Sequence, residues 1–229
     1  MADFDGDGDL DIAVGNDMAP NNLFINDGYG NFSKEGNFGE TYAPPRNLIV
    51  ADIDNDGDKE ILITNRRREN EICLNDGKGA FSNTLGFGSK DDSTIDVEVA
   101  DIDGDGDNDL ILANRDEQQN YVYLNNGKLN FATKVPFGSG LDNTRSVAVA
   151  DMNDDGYVDI VSANIGEPNT IYFGDKELAF TKSIAFDTSD DESSSIAITD
   201  FNLDGHDDIV VGNFNQPNSV FINNDLGMT

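Results

Sequence analysis

Along the chain, short apolar runs alternate with polar stretches dense in Asp, Asn and Gly, and nowhere does the helical period appear. The pattern is fullest between residues 47 and 87. There, 47–51 predicts a buried strand, 52–60 a polar loop, 61–64 a second strand, 65–70 a turn and 71–74 a third strand. Asn75-Asp76-Gly77-Lys78-Gly79 predicts a hairpin turn, because Asp-Gly supplies the positive φ angles such turns need, and 80–87 then makes a fourth strand. Equivalent first strands are expected at 95–100, 147–150 and 196–199, and second strands at 12–14, 110–113, 160–163 and 209–211. Third strands are expected at 23–25, 121–124, 171–173 and 220–222.

Between first and second strands stands one recurring stretch, seen in full as Asp101-Ile102-Asp103-Gly104-Asp105-Gly106-Asp107-Asn108-Asp109. It begins at Asp3, Asp52, Asp101, Asp151 and Asp200, at intervals of 49, 49, 50 and 49 residues. A period near 50 with about four short strands per unit predicts an all-β chain, a β-propeller of four-stranded antiparallel blades. The repeats run at about 1–45, 46–94, 95–144, 145–194 and 195–229, forming one domain over 1–229 or a piece of a larger propeller. The first lacks its inner strand and the last stops before its fourth, so unpaired edges offer a route to homo-oligomers.

Oxygen donors at alternate places of a tight loop, with Gly at the sixth, converge on one point. Ca²⁺ takes 6–8 such hard ligands, and about five ions, one per repeat, are expected. Side-chain ligands are expected from Asp3, Asp5, Asp7 and Asp11; Asp52, Asp54, Asp56 and Glu60; Asp101, Asp103, Asp105 and Asp109; Asp151, Asn153, Asp155 and Asp159; and Asp200, Asn202, Asp204 and Asp208. The seventh residues, Asp9, Asp58, Asp107, Tyr157 and His206, would offer a backbone carbonyl, which accounts for their varied side chains. Apolar Val14, Ile63 and Leu112 at the twelfth position exclude an EF-hand. Loops four and five, with Asn third, should bind more weakly.

The net charge of −31 excludes a nucleic-acid partner, and 23 of the 45 acidic residues lie in the five loops, where they repel one another without cations. A single cysteine, Cys73, allows no internal disulfide, and neither a signal segment nor a membrane-inserting run occurs in this chain. Weak calcium sites fill outside the cell, so a secreted or cell-surface location is expected.

These residues resemble the FG-GAP and VCBS-type repeats of calcium-binding β-propellers, an architecture also found in integrin α-subunit heads. Phe38-Gly39, Phe87-Gly88 and Phe137-Gly138 echo the family's Phe-Gly, while Phe186-Asp187 departs from it. Gly15-Asn16, Thr64-Asn65, Ala113-Asn114, Ala163-Asn164 and Gly212-Asn213 replace the Gly-Ala-Pro element, a departure toward the VCBS-like side. The resemblance implies a ligand face opposite the calcium loops. Arg46, Arg145, Arg66, Arg115, Asn65, Asn114 and Asn164 are expected on that face, where cations would suit a carboxylate-bearing glycan or protein ligand.

The resulting expectation is a non-catalytic, calcium-stabilised, extracellular module for binding or adhesion to glycan or protein. One alternative is a polysaccharide lyase, with Arg46 or Arg145 neutralising a uronate and Tyr42 as base. The other is a fragment that assembles through its open blades.

Overall fold

A computed structural model describes residues 1–187 and 192–224. Every regular element in them is a strand, and the strands form five antiparallel sheets in which chain neighbours pair. Sheet one holds β1 (Ile12–Val14), β2 (Asn21–Asn26) and β3 (Phe32–Phe38). Sheet two holds β4 (Pro45–Ala51), β5 (Glu60–Asn65), β6 (Asn70–Leu74) and β7 (Asn83–Phe87). Sheet three holds β8 (Thr94–Ala100), β9 (Asp109–Asn114), β10 (Gln118–Leu124) and β11 (Thr133–Asp142). Sheet four holds β12 (Thr144–Ala150), β13 (Asp159–Asn164), β14 (Thr170–Tyr172) and β15 (Ser183–Ala185). Sheet five holds β16 (Ser193–Thr199), β17 (Asp208–Asn213) and β18 (Ser219–Phe221).

The second strands are the most deeply placed, with every residue of β5, β9 and β13 buried, as continuous apolar runs require of strands covered on both faces. Third strands repeat one register: Ile12 faces Phe24, Ile61 Cys73, Leu110 Tyr123, Ile160 Tyr172 and Ile209 Phe221. Two expected boundaries shift. Inner strands begin earlier than their apolar runs, because bulges at Pro45/Asn47, Thr144/Ser146 and Ser193/Ser195 let polar residues join the ladder. The fourth strand of sheet two starts at Asn83 and not at residue 80, because Phe81 leaves the ladder to pack edge-on against Phe4, with ring centroids 5.7 Å apart.

The chain divides into two compact units, Met1–Thr94 with Asn125–Phe131, and Ile95–Leu124 with Ala132–Thr229. In the first, Phe4, Leu23, Phe38, Ile61, Ile63 and Cys73 make the core between sheets one and two. In the second, one core gathers Ile111, Val122, Phe137, Val147, Ile160 and Phe180, and another Met152, Val161, Ile171, Phe186, Ile209 and Val211. Sheets therefore pack face to face within each unit, every inner face burying side chains worth about 1.5–3 kcal/mol each. Among the described residues no helix is long and apolar enough to cross a membrane.

Candidate metal centres and grooves

Each of the five loops is tied by the same hydrogen bonds. The first Asp receives the N–H of the sixth residue: Gly8 to Asp3 at 2.9 Å, Gly57 to Asp52 at 3.1 Å, Gly106 to Asp101 at 3.0 Å, Gly156 to Asp151 at 2.7 Å and Gly205 to Asp200 at 2.9 Å. Those five glycines hold φ between 90° and 99°, which excludes a side chain without strain. The ninth carboxylate turns inward and accepts the N–H of the second residue, as Asp11 does from Phe4 (2.8 Å), Asp109 from Ile102 (3.0 Å) and Asp208 from Phe201 (2.9 Å). Its other oxygen accepts the N–H ending the third strand: Asn26 to Asp11 at 2.9 Å, Gly174 to Asp159 at 2.8 Å and Asn223 to Asp208 at 2.8 Å. In loop two the longer Glu60 side chain departs. Its Oε2 accepts from Ile53 at 3.1 Å, but Oε1 is buried with no closed hydrogen bond, and the Asn75 amide draws on it only weakly.

In loops one to three, carboxylate oxygens converge: Asp3, Asp5 and Asp11; Asp52, Asp54 and Glu60; Asp101, Asp103 and Asp109, each set within 4.8 Å. Two oxygens on opposite sides of one Ca²⁺ stand about twice 2.3–2.6 Å apart, so each set spans what that ion needs. Burial, with neighbouring carboxylates behind it, holds Asp5, Asp54 and Asp103 above their ordinary range and pushes Glu60 up to about 7. A cation would relieve both costs, and the unmatched Glu60 oxygen has the chemistry of a ligand. The residues fit calcium.

The fifth carboxylates, Asp7, Asp56 and Asp105, each accept the N–H of the seventh residue through Oδ1 at 2.9 Å. The seventh side chains reach elsewhere or face solvent: His206 meets Asp154 at 3.1 Å and Tyr157 is exposed. In loops four and five the third residue ties itself in, Asn153 donating to Asp155 at 3.1 Å and Asn202 to Asp204 at 2.9 Å.

At the opposite end of the sheets, Asn65, Asn114 and Asn164 are 0%, 0% and 2% exposed, so they do not present the ligand face expected of them. They belong to a buried relay. In the second unit, Asn120 donates to the Thr144 hydroxyl at 2.8 Å, which donates to Asn164 at 3.0 Å. Asn169 repeats the step to Ser193 (2.9 Å) and Ser193 to Asn213 (2.9 Å). Pro45 occupies the Thr144 position in sheet two, and without a hydroxyl there Asn65 Oδ1 is left buried and unpartnered. Of the expected cations, Arg115 is bound by Asp116 at 2.9 Å and Arg46 is exposed. Arg66 and Arg145 each keep a buried Nε.

Sequence reasoning missed two features. One is an amide clasp from just beyond three of the third strands to the neighbouring loop: Asn75 to the Phe4 carbonyl at 2.9 Å, Asn125 to Ile53 at 3.4 Å and Asn223 to Met152 at 3.0 Å. The recurrence of Asn26, Asn75, Asn125 and Asn223, broken by Gly174, is the signal that carried it. The other is a pair of equivalent grooves at the relay end. The groove in the first unit, about 630 Å³, is lined by Arg67, Arg68, Glu69, Glu71 and Lys90, and the Arg68–Glu40 ion pair of 2.9 Å lies in it. The groove between sheets three and four, about 810 Å³, replaces those charges with Pro168, Thr170 and Tyr172 beside Phe180, Asp142 and Glu167. Asp142 is aimed by the Ser139 N–H at 2.8 Å. Burial, and then Asp142 opposite, raises the Glu167 carboxyl, and burial raises the Tyr172 hydroxyl to about 12.

A family model for the FG-GAP-like repeat matches residues 3–63, 52–112, 101–162 and 151–211. No curated protein sequence matches the chain at a significant level. Among solved structures, the chain is similar to an Agrocybe aegerita lectin described as specifically recognising non-reducing terminal N-acetylglucosamine. The TM-score is 0.66 at 20% identity, over 99% of this chain and 63% of the lectin. It is also similar to BBS1N, solved in complex with ARL6DN, with TM-score 0.56 and 14% identity over 83% of this chain and 56% of that one. This chain thus spans less than two thirds of either protein, and at these identities the likeness bears on the fold alone.

Proposed function

Since the chain belongs to the FG-GAP-like repeat family, we propose that it is a non-catalytic, calcium-stabilised β-propeller module that binds a glycan in the groove between sheets three and four. The carrying observation is that groove's chemistry, with the half-buried Glu167 carboxylate as acceptor, the Asp142 carboxylate held behind it by Ser139, and the rings of Tyr172 and Phe180 in the wall. A pyranose has one apolar face and a rim of hydroxyl donors, and such a wall and rim match it. Two carboxylates, with no cation lining the groove among the described residues, disfavour an acidic sugar and favour a neutral or amino sugar. The lectin among the structural neighbours supports a sugar-binding reading of this architecture, and the BBS1N complex supports a protein ligand as the second reading. The equivalent groove in the first unit is occupied by its own Arg68–Glu40 pair, which leaves it less room for a ligand.

Calcium would be held by the loop carboxylates and would pin first to second strand in each sheet. Ligand contacts then fall on strand ends already held rigid, and the weak affinity of such loops suits an extracellular setting. A glycan array in millimolar Ca²⁺ tests the reading, with the wild type beside Glu167→Ala and Thr170→Arg. Binding to neutral or amino-sugar glycans that falls roughly tenfold in each variant, about 1.4 kcal/mol, is expected. Binding confined to uronate-bearing glycans, or unaffected by both substitutions, would place the site elsewhere. Silence on glycans with capture of a protein would establish the second reading.

A further inference from the structure

The two grooves are built from equivalent positions, and one of those positions changes sign. Arg68 lies three residues after the buried Asn65 that ends β5, and Glu167 lies three residues after Asn164 at the end of β13. Glu40 and Ser139 likewise correspond, each two residues after the phenylalanine of a Phe-Gly step, Phe38 and Phe137. In both grooves a buried carboxylate receives the N–H of that residue. Glu40 donates to Glu71 at 2.6 Å and Ser139 donates to Asp142 at 2.8 Å. Glu71 is 8% exposed and Asp142 4%. Glu71 stands on β6 and Asp142 ends β11, so different strands deliver the same acceptor to the same donor.

What accompanies that carboxylate differs between the grooves. In the first unit the chain supplies its own cation: Arg68 pairs with Glu40 at 2.9 Å, and its charge partly offsets the burial that raises Glu71. In the second, Glu167 takes the place of Arg68 and Ser139 that of Glu40. A second carboxylate therefore meets the first, and Asp142 adds to the burial that raises Glu167. The donors that reach Asp142 are neutral, namely the N–H and hydroxyl of Ser139 and the Asn120 amide at 3.5 Å. Neutral donors stabilise a carboxylate about half as well as charged ones. No Lys or Arg among the described residues lines this groove.

We propose that the groove between sheets three and four selects a sugar with a free ammonium group, which Glu167 and Asp142 receive where the Arg68 guanidinium stands in the first unit. The inference rests on glycan binding in that groove and adds the charge of the ligand. The ring would lie along the wall made by Tyr172 and Phe180. An ammonium offers three donors, no acceptor and a full charge, which suits two adjoining carboxylates. An acetylated amine offers one N–H and no charge, and leaves their repulsion in place.

Calorimetric titration of the whole chain in millimolar Ca²⁺ and physiological salt tests this, with the methyl glycosides of glucosamine and of N-acetylglucosamine as probes. Single sugars and salt keep the acidic loops from holding ligand by net charge alone. The free amine should bind roughly tenfold more tightly than the acetylated form. Ethanolamine, an ammonium without a sugar ring, should bind more weakly than the amino sugar. Glu167→Gln keeps the side chain's shape and should bring the ratio of the two sugar affinities near one. Glu167→Arg supplies the cation that the first unit carries and should abolish binding of the amine. Equal or tighter binding of the acetylated sugar, ethanolamine binding as well as the amino sugar, or a preference that survives either substitution would overturn the proposal. Binding of the acetylated sugar alone would do so while leaving the glycan reading intact; binding of neither sugar would overturn both.

Discussion

In loop three, the Asp103 carboxylate lies with those of Asp101 and Asp109. In loop five, Asn202 stands in the same place and donates its amide to Asp204 at 2.9 Å. The two loops share a backbone: the first-to-sixth bond is 3.0 Å in one and 2.9 Å in the other, and the sixth glycine has φ 93° and 97°. Exchanging an oxygen for an NH₂ group removes a charge and adds a donor at the third position. Burial and like charge raise Asp103, whereas hydrogen bonds from the His206 N–H and the Asn202 side chain lower Asp204. Loops one to three gather carboxylates whose charge a cation would offset, while in loops four and five the Asn amides supply part of that compensation. Loop four is only partly relieved, since burial still pushes its ninth carboxyl, Asp159, up to about 6.

Chelation tests the shared half of that contrast and should have the largest effect. A site held at about 1,000 times its Kd adds about 4 kcal/mol, and each kcal/mol moves Tm by about 2–4 °C at this size. Excess EDTA should therefore lower Tm by about 10 °C or more, and an unchanged melting curve would remove calcium from the account. Next in size, Asp103→Ala in saturating Ca²⁺ should cost about 3 kcal/mol as a filled site is lost. Asn153→Ala should cost about 1 kcal/mol, near the worth of its hydrogen bond. Equal losses in chemical denaturation would abolish the ranking of the loops. Asn153→Asp should convert loop four into the first kind, tightening calcium roughly tenfold, about 1.4 kcal/mol, in calorimetric titration while lowering stability in EDTA; no tightening would mean that the third position does not ligate.

The smallest effect concerns pH. Glu60, Asp5, Asp54 and Asp103 have folded-state pKa values above their ordinary ones, so the metal-free fold binds protons more tightly than the unfolded chain. In EDTA, stability should rise as pH falls from 8 toward Glu60's folded value of about 7 and continue rising down to the ordinary carboxylate range. In Ca²⁺ the trend should reverse, because protons compete with the metal for the same oxygens. Melting curves at several pH values with and without calcium would reveal either sign.

Spacing and residue type told much of the metal loops, because the donors lie within nine consecutive residues and the turn geometry is local. The division of labour inside each loop was less legible. Asp7, Asp56 and Asp105 read as ligands, and each also caps the seventh N–H through its Oδ1, a matter of side-chain direction that spacing does not contain. Asn65, Asn114 and Asn164 were expected on an exposed ligand face for a related reason. Polar residues at turns suggest solvent, but Asn164 and Asn169 are each 2% exposed, and hydrogen bonds to each other, to the Pro168 carbonyl and to the Ser193 hydroxyl make that burial tolerable.

By itself the sequence determined strand order, repeat length and the gathering of acidic oxygens in loops one to three, all consequences of periodicity and local turn chemistry. Tertiary packing decided the rest. It set Gly174 where the other four repeats carry Asn, since a Cβ there would collide with the Val158 carbonyl. It filled one groove with the Arg68–Glu40 pair and left Tyr172, Asp142 and Glu167 lining the other. It also left Phe201 exposed while covering Phe4, Ile53, Ile102 and Met152. The reason is physical: a side chain's environment is supplied by the adjacent sheet, about 70 residues away in the clasps, from Phe4 to Asn75 and from Met152 to Asn223. No local pattern encodes what that sheet supplies.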